Sequence, residues 1–65
     1  MEFKDRLKQI RKMRGYTQKE LAKLCGTSER VIQNYELGER KPGFDAIISL
    51  CNALDISSDF LLGLQ

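Results

Sequence analysis

The chain has few side chains with which to do covalent chemistry. It contains no His, and its two cysteines, Cys25 and Cys51, are too few for a disulfide framework or a zinc set. The serines are scattered, so a nucleophilic or metal-assisted centre lacks its usual parts. No catalytic residue, metal site or cofactor is expected, and the chain does not read as an enzyme. What remains are groups that hold rather than react. Glu29, Arg30, Gln33 and Asn34 collect charged and amide side chains in one short stretch, and Thr17, Gln18, Thr27, Ser28, Arg40 and Lys41 add hydroxyls, an amide and cations around it. The first group suits recognition of a polar partner and equally suits a solvated helix face. The second suits anion binding and equally suits helix capping and solubility.

Charge distribution favours a polyanion as the partner. The net charge is only +2, but residues 1–30 carry nine basic and four acidic side chains, and residues 31–65 carry two and five. Such asymmetry places a positive field on one side of the molecule. No apolar run reaches membrane-spanning length, and Met1-Glu2-Phe3-Lys4-Asp5 lacks the apolar core of a signal peptide. A cytoplasmic chain with no membrane partner is expected.

The elements that must position these groups are helical. Sixty-five residues, 42% of them hydrophobic, predict one domain over 1–65 with a single core and no deep cavity for a small-molecule substrate. Phe3, Leu7, Ile10 and Met13 form an apolar stripe that Gly15 ends. Thr17 to Glu20 has the form of a capping box, opening a second helix with Leu21, Ala22, Leu24 and Cys25 on its apolar face, and Gly26 stops it. Thr27 and Ser28 open a third, which buries Val31 or Ile32 together with Tyr35 and ends at Gly38. Beyond the polar loop Glu39 to Gly43, Ile47, Leu50 or Cys51, and Leu54 mark a fourth. Ser57 caps a short fifth helix, with Ile56 stapled onto Leu61. Cys25 and Cys51 both fall on apolar faces and are expected to be buried, reduced packing residues. The whole is all-α.

Gln18 to Tyr35 is the informative stretch: two short helices joined tightly at Gly26, with the small Ala22 where they would cross. Taken alone, an Ala and a Gly four residues apart fit an ordinary helical hairpin as well. The wider pattern of Thr17-Gln18-Lys19-Glu20-Leu21-Ala22, Gly26-Thr27-Ser28, Ile32 and Tyr35-Glu36-Leu37-Gly38 resembles the phage repressor and Cro family of helix-turn-helix domains. The resemblance continues through Lys41-Pro42, Ala53-Leu54-Asp55-Ile56-Ser57 and Asp59-Phe60-Leu61-Leu62. Leu37 stands where Asn or Gln is common, and Gly43 where Ser or Thr often caps.

That resemblance implies a compact five-helix, lambda-repressor-like domain, with its helix-turn-helix at about 18–36, that binds double-stranded DNA to regulate transcription. It matches Glu29, Arg30 and Asn34 to base-reading positions, with Gln33 beside them. Arg30 suits guanine O6/N7, Asn34 adenine N6/N7 and Glu29 cytosine N4. Thr17, Gln18, Thr27, Ser28, Arg40 and Lys41 become the expected phosphate contacts, and Arg11 and Glu36 match a family ion pair between helices. A sequence-specific regulator, a repressor, follows as the expected function. The alternative is a protein-interaction module of the same fold, such as an antitoxin or dimerising domain. One small module gives limited specificity, so a weak homodimer on a pseudo-palindromic operator is expected. Its contact is placed at Leu62 or Leu64, next to Ile56 and Ser58, with Leu61 and Phe60 turned inward.

Overall fold

The computed structural model describes residues 2–64 and has five helices: α1 (Phe3–Met13), α2 (Gln18–Cys25), α3 (Glu29–Leu37), α4 (Phe44–Leu54) and α5 (Ser58–Leu62). Among the described residues there is no strand, and no helix is long and apolar enough to cross a membrane. Side-chain caps start α2, α3 and α5, and left-handed residues end all helices but the first. At α2 the capping box is complete. The Glu20 backbone N–H donates to Thr17 Oγ1 at 3.0 Å, and the Thr17 N–H donates to Glu20 Oε1 at 2.9 Å. Ser28 and Ser57 cap α3 and α5, accepting from the N–H groups of Val31 and Phe60. Gly43, in front of α4, offers no side chain for the task.

The turn between α2 and α3 depends on Gly26. Its φ of 70° lets the Thr27 N–H reach back to the Ala22 carbonyl at 2.9 Å, which closes a Schellman turn. A Cβ there would meet nothing within 4 Å, so the requirement is conformational rather than steric. Asp55, after α4, adopts the same left-handed conformation with a side chain attached, and Arg14 Nη2 donates to its carbonyl at 3.1 Å.

The core forms where the five apolar faces meet. Leu7, Leu21, Ile32, Leu50, Leu54 and Leu61 are sealed, joined by Ile10, Ala22 and Tyr35. α1 packs on α3 and α5, α2 on α3 and α4, and α4 on α5. Ile32 takes the inner position on α3 and Val31 is only partly covered.

Several apolar residues lie elsewhere than their spacing predicts. Met13 is 69% exposed. Its stripe reaches it by two successive steps of three residues, each about 60° short of a full turn, which carry it off the inner face. Leu24 is exposed for the same reason, one step of three from Leu21 on the side away from Ala22. Cys25 and Cys51 are half-buried rather than enclosed. They sit at the rim, where Cys25 Sγ lies 3.7 Å from the Ser49 carbonyl, and partial burial still raises both thiol pKa values. Phe60 is a surface residue, because Leu61 takes the single inward position on this short helix. The Phe60 ring instead lies 5.3 Å beneath the Arg6 guanidinium. Ile56 turns to the core, away from the exposed Leu62 and Leu64.

Candidate nucleic-acid interface

The third helix owes its orientation to a buried polar knot. Arg11 on α1 donates from Nε to Glu36 Oε2 at 2.7 Å and from Nη2 to Oε1 at 3.2 Å, while its Nη1 donates to the Tyr16 carbonyl at 2.8 Å. Gln18 Nε2, on α2, donates to Glu36 Oε1 at 3.0 Å. The Arg11 and Glu36 side chains are 10% and 3% exposed, so the forked pair is largely removed from water. A pair of this kind adds little net stability, because desolvation offsets attraction. Its geometric effect is larger: one carboxylate receives donors from α1 and α2 and thereby sets the angle of α3 against both. The bond from Gln18 has no signature in the sequence, since it spans two helices.

The opposite face of α3 is open. Glu29 and Arg30 are exposed, Gln33 and Asn34 half-buried, and none of the four side chains is hydrogen-bonded to another described residue. Their amide and guanidinium forks can each make two parallel hydrogen bonds to a polar partner. The backbone ties this face to the loop that follows. The Asn34 carbonyl accepts from the N–H groups of Glu39 at 3.0 Å and Arg40 at 3.3 Å. Arg40 and Lys41 are thereby held just past the end of α3, both exposed.

Thr17, Thr27 and Ser28 are also exposed, near the starts of α2 and α3. In Ser28 the hydroxyl oxygen accepts the capping bond and the hydroxyl hydrogen stays free to donate to an anion, whereas the Thr17 hydroxyl, which accepts the α2 capping bond, also faces the Glu20 carboxyl. Gln18 is half-buried, with one amide hydrogen committed to Glu36 and the other available. Thr17's two hydrogen bonds, backbone first and hydroxyl second, hold the Glu20 carboxyl below its ordinary value, so its negative charge persists beside the positive end of α2.

The C-terminal side has a different chemistry. Leu62 is 41% exposed and Leu64 71%, and Phe44 at the start of α4 is 80% exposed. Leu62 shares a cleft of about 310 Å³ with Phe3, Lys41, Pro42 and Ile47. Among the described residues no cluster of His, Cys, Asp and Glu could hold a metal ion.

Comparison with known proteins places this geometry. Residues 7–61 match the family model described as helix-turn-helix. The chain is 40% identical over 63 residues to the HTH-type transcriptional regulator ImmR of Bacillus subtilis, covering 97% of this chain and 50% of that protein. It thus spans about half the length of the curated relative it matches. Two solved structures share the fold. One is the restriction-modification controller protein C.AhdI from Aeromonas hydrophila, with a TM-score of 0.89 at 33% identity over 92% of this chain and 87% of that one. The other is the P22 c2 repressor in complex with synthetic operator 9T, with a TM-score of 0.89 at 31% identity over 95% of this chain and 94% of that one. With five helices in this order and the match running from α1 into α5, the chain belongs to the helix-turn-helix family of phage-repressor-like transcriptional regulators.

Proposed function

We propose that residues 1–65 act as one DNA-binding domain of a cytoplasmic transcriptional regulator, a repressor, which reads double-stranded DNA in the major groove with α3. The observation that carries this reading is the contrast across α3. Its inner side is locked by Arg11, Glu36 and Gln18, and its outer side presents Glu29, Arg30, Gln33 and Asn34 with their hydrogen-bonding groups uncommitted. Arg30 and Asn34 pair bidentately with guanine and adenine, and Glu29 and Gln33 complete the reading. Thr17, Gln18, Thr27, Ser28, Arg40 and Lys41 hold phosphates on either side, which fixes register without reading sequence. The chain acts by binding alone, with no cofactor and no catalysis. The P22 c2 repressor, of the same fold, is in complex with an operator, which supports the reading.

Leu62 and Leu64 pair two copies weakly, so that two α3 helices meet a pseudo-palindrome. A protein-docking module needs apolar anchors on its docking helix, and the outer face of α3 has none apart from Leu37 at its end. The test is affinity for random-sequence duplex DNA across a salt series. The proposal expects log Kobs to fall linearly with log salt. Binding that is absent, or indifferent to salt, would overturn it.

A further inference from the structure

The cationic loop after α3 does not stand alone. Arg40 and Lys41 share a cleft of about 370 Å³ with Glu2, Phe3 and Lys4 around the start of α1 and with Tyr35 and Gly38. The aliphatic stem of Lys4 crosses the end of the recognition helix so closely that a Cβ on Gly38 would lie 3.0 Å from Lys4 Cδ. Three cations from two segments far apart in sequence therefore line one cleft where the chain leaves α3. The same cleft receives the N-terminal end of α1, whose first N–H groups have no partner within the helix. Glu2 also lines the cleft, with Oε2 3.7 Å from Lys4 Nζ, and supplies the only negative side chain of this lining.

We infer that this cleft is a seat for a backbone phosphodiester of the bound duplex, with Lys4 as a DNA contact and Glu2 as the anion that occupies Lys4 until DNA arrives. The inference rests on the proposed DNA-binding function and extends its phosphate grip from the loop to α1. Tyr35 and Gly38 hold the cleft against the end of α3, so a phosphate seated there fixes how far the recognition helix advances along the groove. Each cation that neutralises a phosphate releases counterions, and that release can be measured.

The experiment is duplex binding across a salt series for the wild type, Lys4→Gln, Lys4→Arg, Glu2→Gln, Lys41→Gln and Lys8→Gln, with unfolding midpoints measured in parallel. Lys4→Gln is expected to flatten the salt slope by about 0.9, as Lys41→Gln does, and to weaken binding most at low salt. Lys4→Arg restores the slope, and Glu2→Gln tightens binding by freeing Lys4. Lys8→Gln, one turn along α1 and outside the cleft, leaves the slope unchanged. If Lys4→Gln lowers only the unfolding midpoint while wild type and Lys41→Gln differ in slope, Lys4 merely packs on α3 and the phosphate seat is wrong. Absence of salt-dependent binding in the wild type would remove the DNA-binding function itself.

Discussion

The helix-turn-helix half and the C-terminal half of this molecule solve different problems. In α2 and α3, hydroxyl caps and a buried fork from Arg11 leave one helix face rigid and polar. In the second half Ser57 caps α5 but Gly43 gives α4 no side-chain cap, and Phe44, Leu62 and Leu64 stand in solvent. A reading surface needs fixed donors and acceptors, since each must meet a base edge within hydrogen-bond tolerance. A pairing surface needs apolar area and tolerates less exact placement. Under the proposed function the first half reads DNA and the second pairs two copies, although Met13, Leu24 and Leu37 leave apolar area exposed on the first half as well.

The largest expected effect comes from breaking the knot on the reading side. Glu36→Ala strands Arg11 in a nearly dry site and should cost about 3–5 kcal/mol in urea unfolding. The double variant Arg11→Met with Glu36→Leu should recover most of that loss. DNA selectivity should stay impaired, because an apolar pair does not fix the α3 angle as a forked ion pair does. Full selectivity in the double variant would mean that packing alone orients the helix.

Next in size are the base contacts. Arg30→Ala and Asn34→Ala should each cost about 1–3 kcal/mol against the preferred site and relax base preference at one position. Lys41→Ala should weaken all sequences alike and flatten the salt slope by about one unit. Competition titrations against single-base variants separate the two classes, and a uniform loss from all three would erase the distinction between reading and holding.

On the pairing side, Leu64→Glu should leave the unfolding free energy within about 0.5 kcal/mol of wild type, as expected for an exposed residue. It should abolish cooperative occupation of a two-half-site duplex while sparing a single half-site. Gel-shift stoichiometry reads both, and retained cooperativity would place the pairing surface elsewhere.

The smallest effect is electrostatic. The folded Glu20 carboxyl titrates below its ordinary value, so the capping box contributes fully above that ordinary value and its contribution fades as pH falls through the lowered one. Glu20→Gln should therefore flatten the acid limb of the stability profile slightly, and an unchanged limb would show the box to be energetically silent.

These effects differ in how far the sequence foretells them. The capping residues Thr17, Ser28 and Ser57 and the Gly26 turn act within four or five residues of themselves, so spacing reveals them. The sealed positions Leu7, Leu21 and Leu54 follow from helical period and Leu61 from the staple with Ile56, whereas period leaves Val31 and Ile32 both open for the inner place on α3 that Ile32 takes. Spacing misleads where steps of three residues carry Met13 and Leu24 off the inner face, and at Phe60, where the short α5 has one inward position and Leu61 takes it. Arg11 and Glu36 enter through family resemblance rather than any local rule. The bond from Gln18 to Glu36 and the convergence of Lys4 with Arg40 and Lys41 emerge only from the fold, because residues distant in sequence meet there.

The most direct measurement is selection of bound sequences from a random duplex pool by the intact chain. The division between a reading half and a pairing half predicts enrichment of a pseudo-palindrome whose half-sites lie about 34 Å apart, centre to centre. Within each half-site, the positions lost on Arg30→Ala and Asn34→Ala should be a guanine and an adenine. Enrichment of no sequence, or of one unaffected by either substitution, would contradict the assignment of α3 as the reading helix.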